Sequence, residues 1–166
     1  MALMQPDEGR NAEVAREMAV SGSWLVPTLE GLPYLDKPAA YFAAVAVSLR
    51  VVGVNEWGAR LPSALCGLLI LILLYAFARR RYDPVTAALA VIVVATTPMM
   101  FSFSRIVIMD ITLGFCTVAA ILAGYVAEEG DAPDRRWHAA GAAAAGFGML
   151  VKGPVGALVP AAVLTV

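Results

Sequence analysis

Charge is scarce in this chain. Charged residues make up 15% of its 166 positions against 60% hydrophobic, with a mean hydropathy of +0.76. A soluble domain is roughly 45–50% apolar, so the composition places the chain among integral membrane proteins. The formal net charge of −1 leaves no basic surface for nucleic acid, and no run of like charge suggests an interaction tail. Cysteine is almost missing too. Cys66 and Cys116 both sit inside apolar stretches with no second ligand at zinc-like spacing, so they read as small buried hydrophobes and carry no redox information. Histidine occurs once, at His138.

Uninterrupted apolar sequence is what the chain does have. Residues 61–78, 85–104 and 111–127 are free of charge. At about 1.5 Å rise per residue each approaches or reaches the roughly 30 Å hydrocarbon core as a helix. A fourth region, 137–166, is interrupted by Lys152-Gly153-Pro154, which predicts one helix over 137–151 and a returning one over 153–166. The expected fold is all-α, a polytopic transmembrane bundle over 59–166 preceded by an extracytoplasmic loop with interfacial helices over 1–58.

Within that loop, residues 11–20 place Val14, Ala15, Met18 and Ala19 at helical spacing, the pattern of an amphipathic helix lying at the interface. Residues 24–38 are rich in Pro, Gly and aromatics, an ordered loop with turns near Pro27, Gly31 and Pro33. Residues 41–54 are apolar but broken by Arg50, and would reach only roughly 21 Å as a helix. A second interfacial or partly inserted helix is expected there.

Sidedness follows from Arg79, Arg80 and Arg81 after the first span and Arg135 and Arg136 after the third. Two spans separate these clusters, so they share a side, and the positive-inside rule makes it the cytoplasm. The segment carrying Asp7, Glu8, Asp36 and Lys37 then faces outward, as does the turn with Arg105 and Asp110. A helix of about fifteen residues rising from Trp137 leaves Lys152 at the same face. Charges brought together at a membrane boundary are a site hypothesis by default.

Five strings carry a more specific signal: Pro6-Asp7-Glu8-Gly9-Arg10, Tyr34-Leu35-Asp36-Lys37-Pro38, Ala59-Arg60-Leu61-Pro62-Ser63, Arg105 with Asp110, and Leu150-Val151-Lys152-Gly153-Pro154. In order and spacing they resemble membrane glycosyltransferases of the GT-C superfamily, in the branch of the protein O-mannosyltransferases and lipid A aminoarabinose transferases. That resemblance implies transfer of a sugar from a polyprenyl-phosphate donor, at the extracytoplasmic face of a bacterial inner membrane, to an acceptor protein or glycolipid. It implies Asp7 as the catalytic carboxylate and Asp110 as the second acidic position, binding acceptor or pairing with a base such as Arg105. Arg10, Lys37, Arg105 and Lys152 become candidates for the donor phosphate, and Glu8 and Asp36 for substrate or metal contact. Some relatives bind a divalent metal through an acidic residue at the position of Asp36 and a later histidine. No such partner is visible here, since His138 falls on the cytoplasmic side.

Blander roles compete at each position. Asp7 could cap a helix beginning near Glu8, Asp110 could cap the third span, and Lys37 and Lys152 could snorkel to headgroups. Relatives also carry a transmembrane helix before the acidic loop and many spans after it. The chain is therefore expected to be an N-terminal fragment, inactive alone, with Pro38-Ala39 where many relatives have two prolines. The competing function is a transporter fragment with Asp110 and Lys152 lining a path. It predicts polar residues along the helix interiors and a repeated half, whereas the charges cluster at boundaries.

Overall fold

The computed structural model describes residues 6–129 and 132–165, and it is helical almost throughout. Helix α1 (Pro6–Ser21) is followed by a hairpin of two-residue strands, β1 (Thr28–Leu29) and β2 (Leu32–Pro33), then by α2 (Ala39–Val52) and α3 (Glu56–Arg81). Next come α4 (Pro84–Thr96), α5 (Pro98–Phe103), α6 (Asp110–Ala127), α7 (Arg135–Lys152) and α8 (Val155–Leu164). The all-α membrane architecture expected from composition is what the chain adopts. Among the described residues two helices, α3 and α6, are long and apolar enough to cross a bilayer.

Local chemistry explains most boundaries. Asn55 caps α3 by accepting the Gly58 amide, Asp83 caps α4 ahead of Pro84, and Asp134 caps α7. The hairpin turn places Glu30 and Gly31 both at positive φ, the conformation that lets two residues reverse an antiparallel pair. One helix was expected over 85–104, but the structure has two. Pro98 lacks an amide hydrogen and pushes Thr97 into extended geometry, so α4 ends and α5 starts afresh.

The first sixty residues differ most from expectation. The apolar stripe of α1 is covered by protein: Val14, Ala15 and Met18 are fully buried, packed with Tyr41, Phe42, Val45 and Ala46 of α2. The hydrophobic core of the molecule lies here, where α1 and α2 rest on the start of α3 together with Val107, Met109 and Val151. Arg50, which breaks the apolar run, sits in the last turn of α2. Its guanidinium donates twice to the Ala19 carbonyl near the end of α1 and stacks over Trp24 at 4.7 Å.

Below this cap, α6, α7 and α8 pack closely through small residues. A Cβ on Gly156 would stand 2.2 Å from the Gly148 carbonyl carbon, and one on Gly148 3.3 Å from the Cβ of Cys116. Gly141 likewise lies against the Ala120 carbonyl, whereas Gly146 faces open space. The exposed apolar side chains of α3 and α4, among them Leu68, Ile72, Leu89 and Ile92, form the surface available to lipid.

Candidate functional site

The acidic motif opens α1, with Asp7 and Glu8 both in its first turn, where the helix dipole favours negative charge. The two neighbours point to opposite environments. Asp7 is 66% exposed and pairs with Arg10 at 2.5 Å, three residues on along the same face. Glu8 is 3% exposed. Its carboxylate accepts from Arg60 Nε at 2.8 Å and Nη2 at 3.2 Å, and from the backbone amide of Val107 at 3.2 Å. One turn further, Asn11 Nδ2 donates to the carbonyl of the same Val107 at 3.0 Å.

The second motif follows the hairpin. Tyr34 donates its hydroxyl to Asp36 at 3.2 Å, and Lys37 lies 3.5 Å from the same carboxylate. Burial and Asp36 push the Tyr34 phenol above its ordinary value against the opposing field of Arg10, and Asp7 also acts on it. The first two motifs therefore meet around one tyrosine. On its other side Tyr34 packs edge-on against Phe42 of α2, 5.9 Å between ring centroids.

The remaining charges come from later in the chain, on the α5–α6 connection and the adjoining ends of α6 and α7. Asp110 is the first residue of α6 and follows its cap, Met109, so it complements the helix dipole rather than capping by a side-chain bond. Its partner is Lys152, the last residue of α7, at 2.5 Å, and each side chain is about one-third exposed. Arg105, the base expected beside Asp110, instead lies 3.9 Å over the ring of Phe101. Tyr41 joins the two halves. Its hydroxyl meets Ser63 at 3.1 Å, Ser63 donates to the Ile108 carbonyl at 3.4 Å, and burial together with the fields of Glu8 and Asp110 raises the phenol strongly.

All eight charges singled out in the sequence lie on α1, the segment after the hairpin, the α5–α6 connection, or the ends of α6 and α7. The basic loops occupy the opposite end. Arg80 and Arg81 pair with Glu129 at 3.5 and 3.3 Å, and His138 pairs with Glu128 at 2.8 Å. Arg60 and Arg80 are twenty residues apart on one helix, about 30 Å by helical rise. Asp36 has no metal-competent company: among the described residues no three His, Cys, Asp or Glu side chains converge to hold an ion.

Sequence reasoning quoted Arg60 and Ser63 within a motif but assigned them no role, and it passed over Asn11 and Tyr41 as site-forming groups. The available signal was Arg60 itself, a charge next to a long apolar run. Its partner stands 52 residues away and could not be read from spacing.

Residues 36–166 match the family described as Dolichyl-phosphate-mannose-protein mannosyltransferase. The chain is 30% identical over 163 residues to the Undecaprenyl phosphate-alpha-4-amino-4-deoxy-L-arabinose arabinosyl transferase of Edwardsiella ictaluri, covering 95% of this chain and 29% of that protein. It is 31% identical over 169 residues to the enzyme of that name from Erwinia tasmaniensis, covering 96% and 30%. Among solved structures it superposes on ArnT from Cupriavidus metallidurans with a TM-score of 0.92 at 34% identity, over 98% of this chain and 31% of that one, in the apo state and bound to Undecaprenyl phosphate. The chain thus spans about 30% of the length of the relatives it matches.

Proposed function

The chain belongs to the Dolichyl-phosphate-mannose-protein mannosyltransferase family, and from that membership we propose that it is the site-bearing part of a membrane glycosyltransferase that draws a sugar from a polyprenyl-phosphate donor. The observation that carries the reading is the near-complete superposition on ArnT, a protein solved with Undecaprenyl phosphate bound. Likeness to two aminoarabinose transferases favours a pentose with a free amine as the donor sugar and a glycolipid as acceptor. The site then faces the outside of a bacterial inner membrane, away from the Arg79 to Arg81 cluster.

In this reading Asp7 is the catalytic carboxylate. It is exposed at the open end of α1, where it orients an acceptor hydroxyl and takes its proton as the oxygen attacks the anomeric carbon. The bond from that carbon to the carrier phosphate breaks with its electron pair going to the phosphate oxygen. Arg10, Lys37, Arg105 and Lys152 supply positive charge where that negative charge grows. Lysine suits this work as a compact point charge, and arginine through its planar fork. Asp110 holds Lys152 in place by their ion pair.

The test is transfer from a labelled polyprenyl-phosphate donor by the gene product completed to the length of its relatives, in membranes. Asp7→Asn should lower transfer by about 10²- to 10⁴-fold, the usual contribution of a positioned acid or base, with insertion unchanged. Full activity in that variant would remove Asp7 from the chemistry.

A further inference from the structure

Glu8 and Asn11 stand one turn apart on the buried face of α1 and grip a single residue from both sides. Glu8 accepts the amide of Val107, and Asn11 donates to its carbonyl. Val107 is fully buried and lies between α5 and α6, in residues 105–109, where no helix ladder satisfies its backbone. Buried backbone groups without partners are costly, so the two side chains from α1 take the place of a ladder. Arg60 lies against both oxygens of Glu8, which pairs the carboxylate and holds its direction. Ser63 holds the next carbonyl, that of Ile108, from α3.

From this geometry we infer that Glu8, Asn11 and Arg60 are positioning residues: they fasten residues 105–109 to the helix that carries Asp7, and so fix Arg105 and Asp110 relative to it. This moves Glu8 from substrate contact to scaffold. At 3% exposure, with both oxygens engaged by Arg60 and one also by Val107, its carboxylate serves the protein interior. The consequence for transfer rests on the proposed transferase reading, but the grip itself does not.

Two readouts on the full-length protein keep the claims apart. Val107→Cys preserves both backbone bonds, and its maleimide labelling in detergent, measured above the background of Cys66 and Cys116, reports whether the segment stays buried. Labelling should be slow in that variant and about tenfold faster when Asn11→Ala is added, as expected for one lost buried hydrogen bond, and faster by at least as much with Glu8→Ala, which also releases Arg60. Asn11→Asp supplies a signature that bulk packing cannot. Between Glu8 and the Val107 carbonyl an ionised carboxylate cannot donate, whereas a protonated one can. The excess labelling over Val107→Cys alone, compared at equal pH, should therefore shrink as pH falls. Asp7→Asn should leave labelling unaltered. For transfer, Asn11→Ala should lower kcat about tenfold with the donor KM little changed. The inference is overturned if labelling stays slow in Asn11→Ala and Glu8→Ala, if the Asn11→Asp excess ignores pH, or if kcat holds while labelling rises. Absence of transfer in the parent protein would count against the transferase reading and leave the labelling result to decide the grip.

Discussion

Asp110 and Lys152 form a pair between residues 42 apart in sequence, each about one-third exposed, at the meeting of two helix ends. Removing either charge leaves its partner half-buried and uncompensated, whereas removing both does not. Asp110→Asn and Lys152→Met should each lower thermal stability in detergent, and the double variant should recover part of that loss, a coupling of about 1 kcal/mol at this exposure. A cycle without coupling would show that the pair is not formed in solution. Transfer should behave differently, because in the proposed reading Lys152→Met also removes a cation offered to the donor. Its donor KM should rise about ten- to a hundredfold whether or not Asp110 is present, in line with about 1.5–3 kcal/mol for a hydrogen bond to a charged group. At this scale the sequence was readable in part. Charges beside apolar runs announced themselves as site candidates, and the family resemblance ordered them. Their pairings did not. Glu8 and Asp7 are adjacent and chemically alike, and only the fold turns one toward Arg60 and Val107 and the other outward.

Among the elements, the link between α1 and the hairpin is set by Glu17, which accepts from the Thr28 hydroxyl and from the amides of Glu30 and Gly31. Those donors, the Thr28 hydroxyl foremost, hold the Glu17 carboxyl below its ordinary value. Its stabilising effect is therefore complete above the ordinary glutamate value of about 4.3 and is lost as pH falls through the lowered one. The difference in melting temperature between the parent and Glu17→Gln should be present at neutral pH and close on acidification. A constant difference would mean the hairpin is held by packing alone. Farther along, Gly156→Ala places a methyl group against the backbone of Gly148. It should cost about 1–3 kcal/mol, the usual range for overpacking, read as a lower melting temperature. Apolar runs made the long helices legible in advance, and Pro98 could have announced the break that divides residues 85–104. The two-residue strands were too short to show a period. The apolar stripe of α1 fits lipid and protein equally well, so its burial against α2 was visible only in three dimensions.

Across the whole molecule, charge is sorted by end. The motif charges gather where α1 and α2 cap the bundle, and Arg79 to Arg81 with Arg135 and Arg136 occupy the other end. Cysteine labelling from one side of intact cells checks the orientation. Leu35→Cys, exposed beside the second motif, should react with an impermeant reagent from outside, and Ala132→Cys only after the membrane is opened. The reverse pattern would turn the proposed site toward the cytoplasm.

Helix α3 connects the two ends without a break, from Glu56 to Arg81, with Arg60 held by Glu8 near its start and Arg80 and Arg81 held by Glu129 near its finish. Anchored at both ends, it behaves as a strut of fixed length against a hydrocarbon layer whose thickness varies with its acyl chains. A thicker or thinner bilayer is met by tilt of the strut or by strain at its anchors. The anchor at Arg60 also carries the grip on residues 105–109. If that strain reaches the proposed site, reconstitution in a series of phosphatidylcholines of increasing chain length should give an optimum in activity.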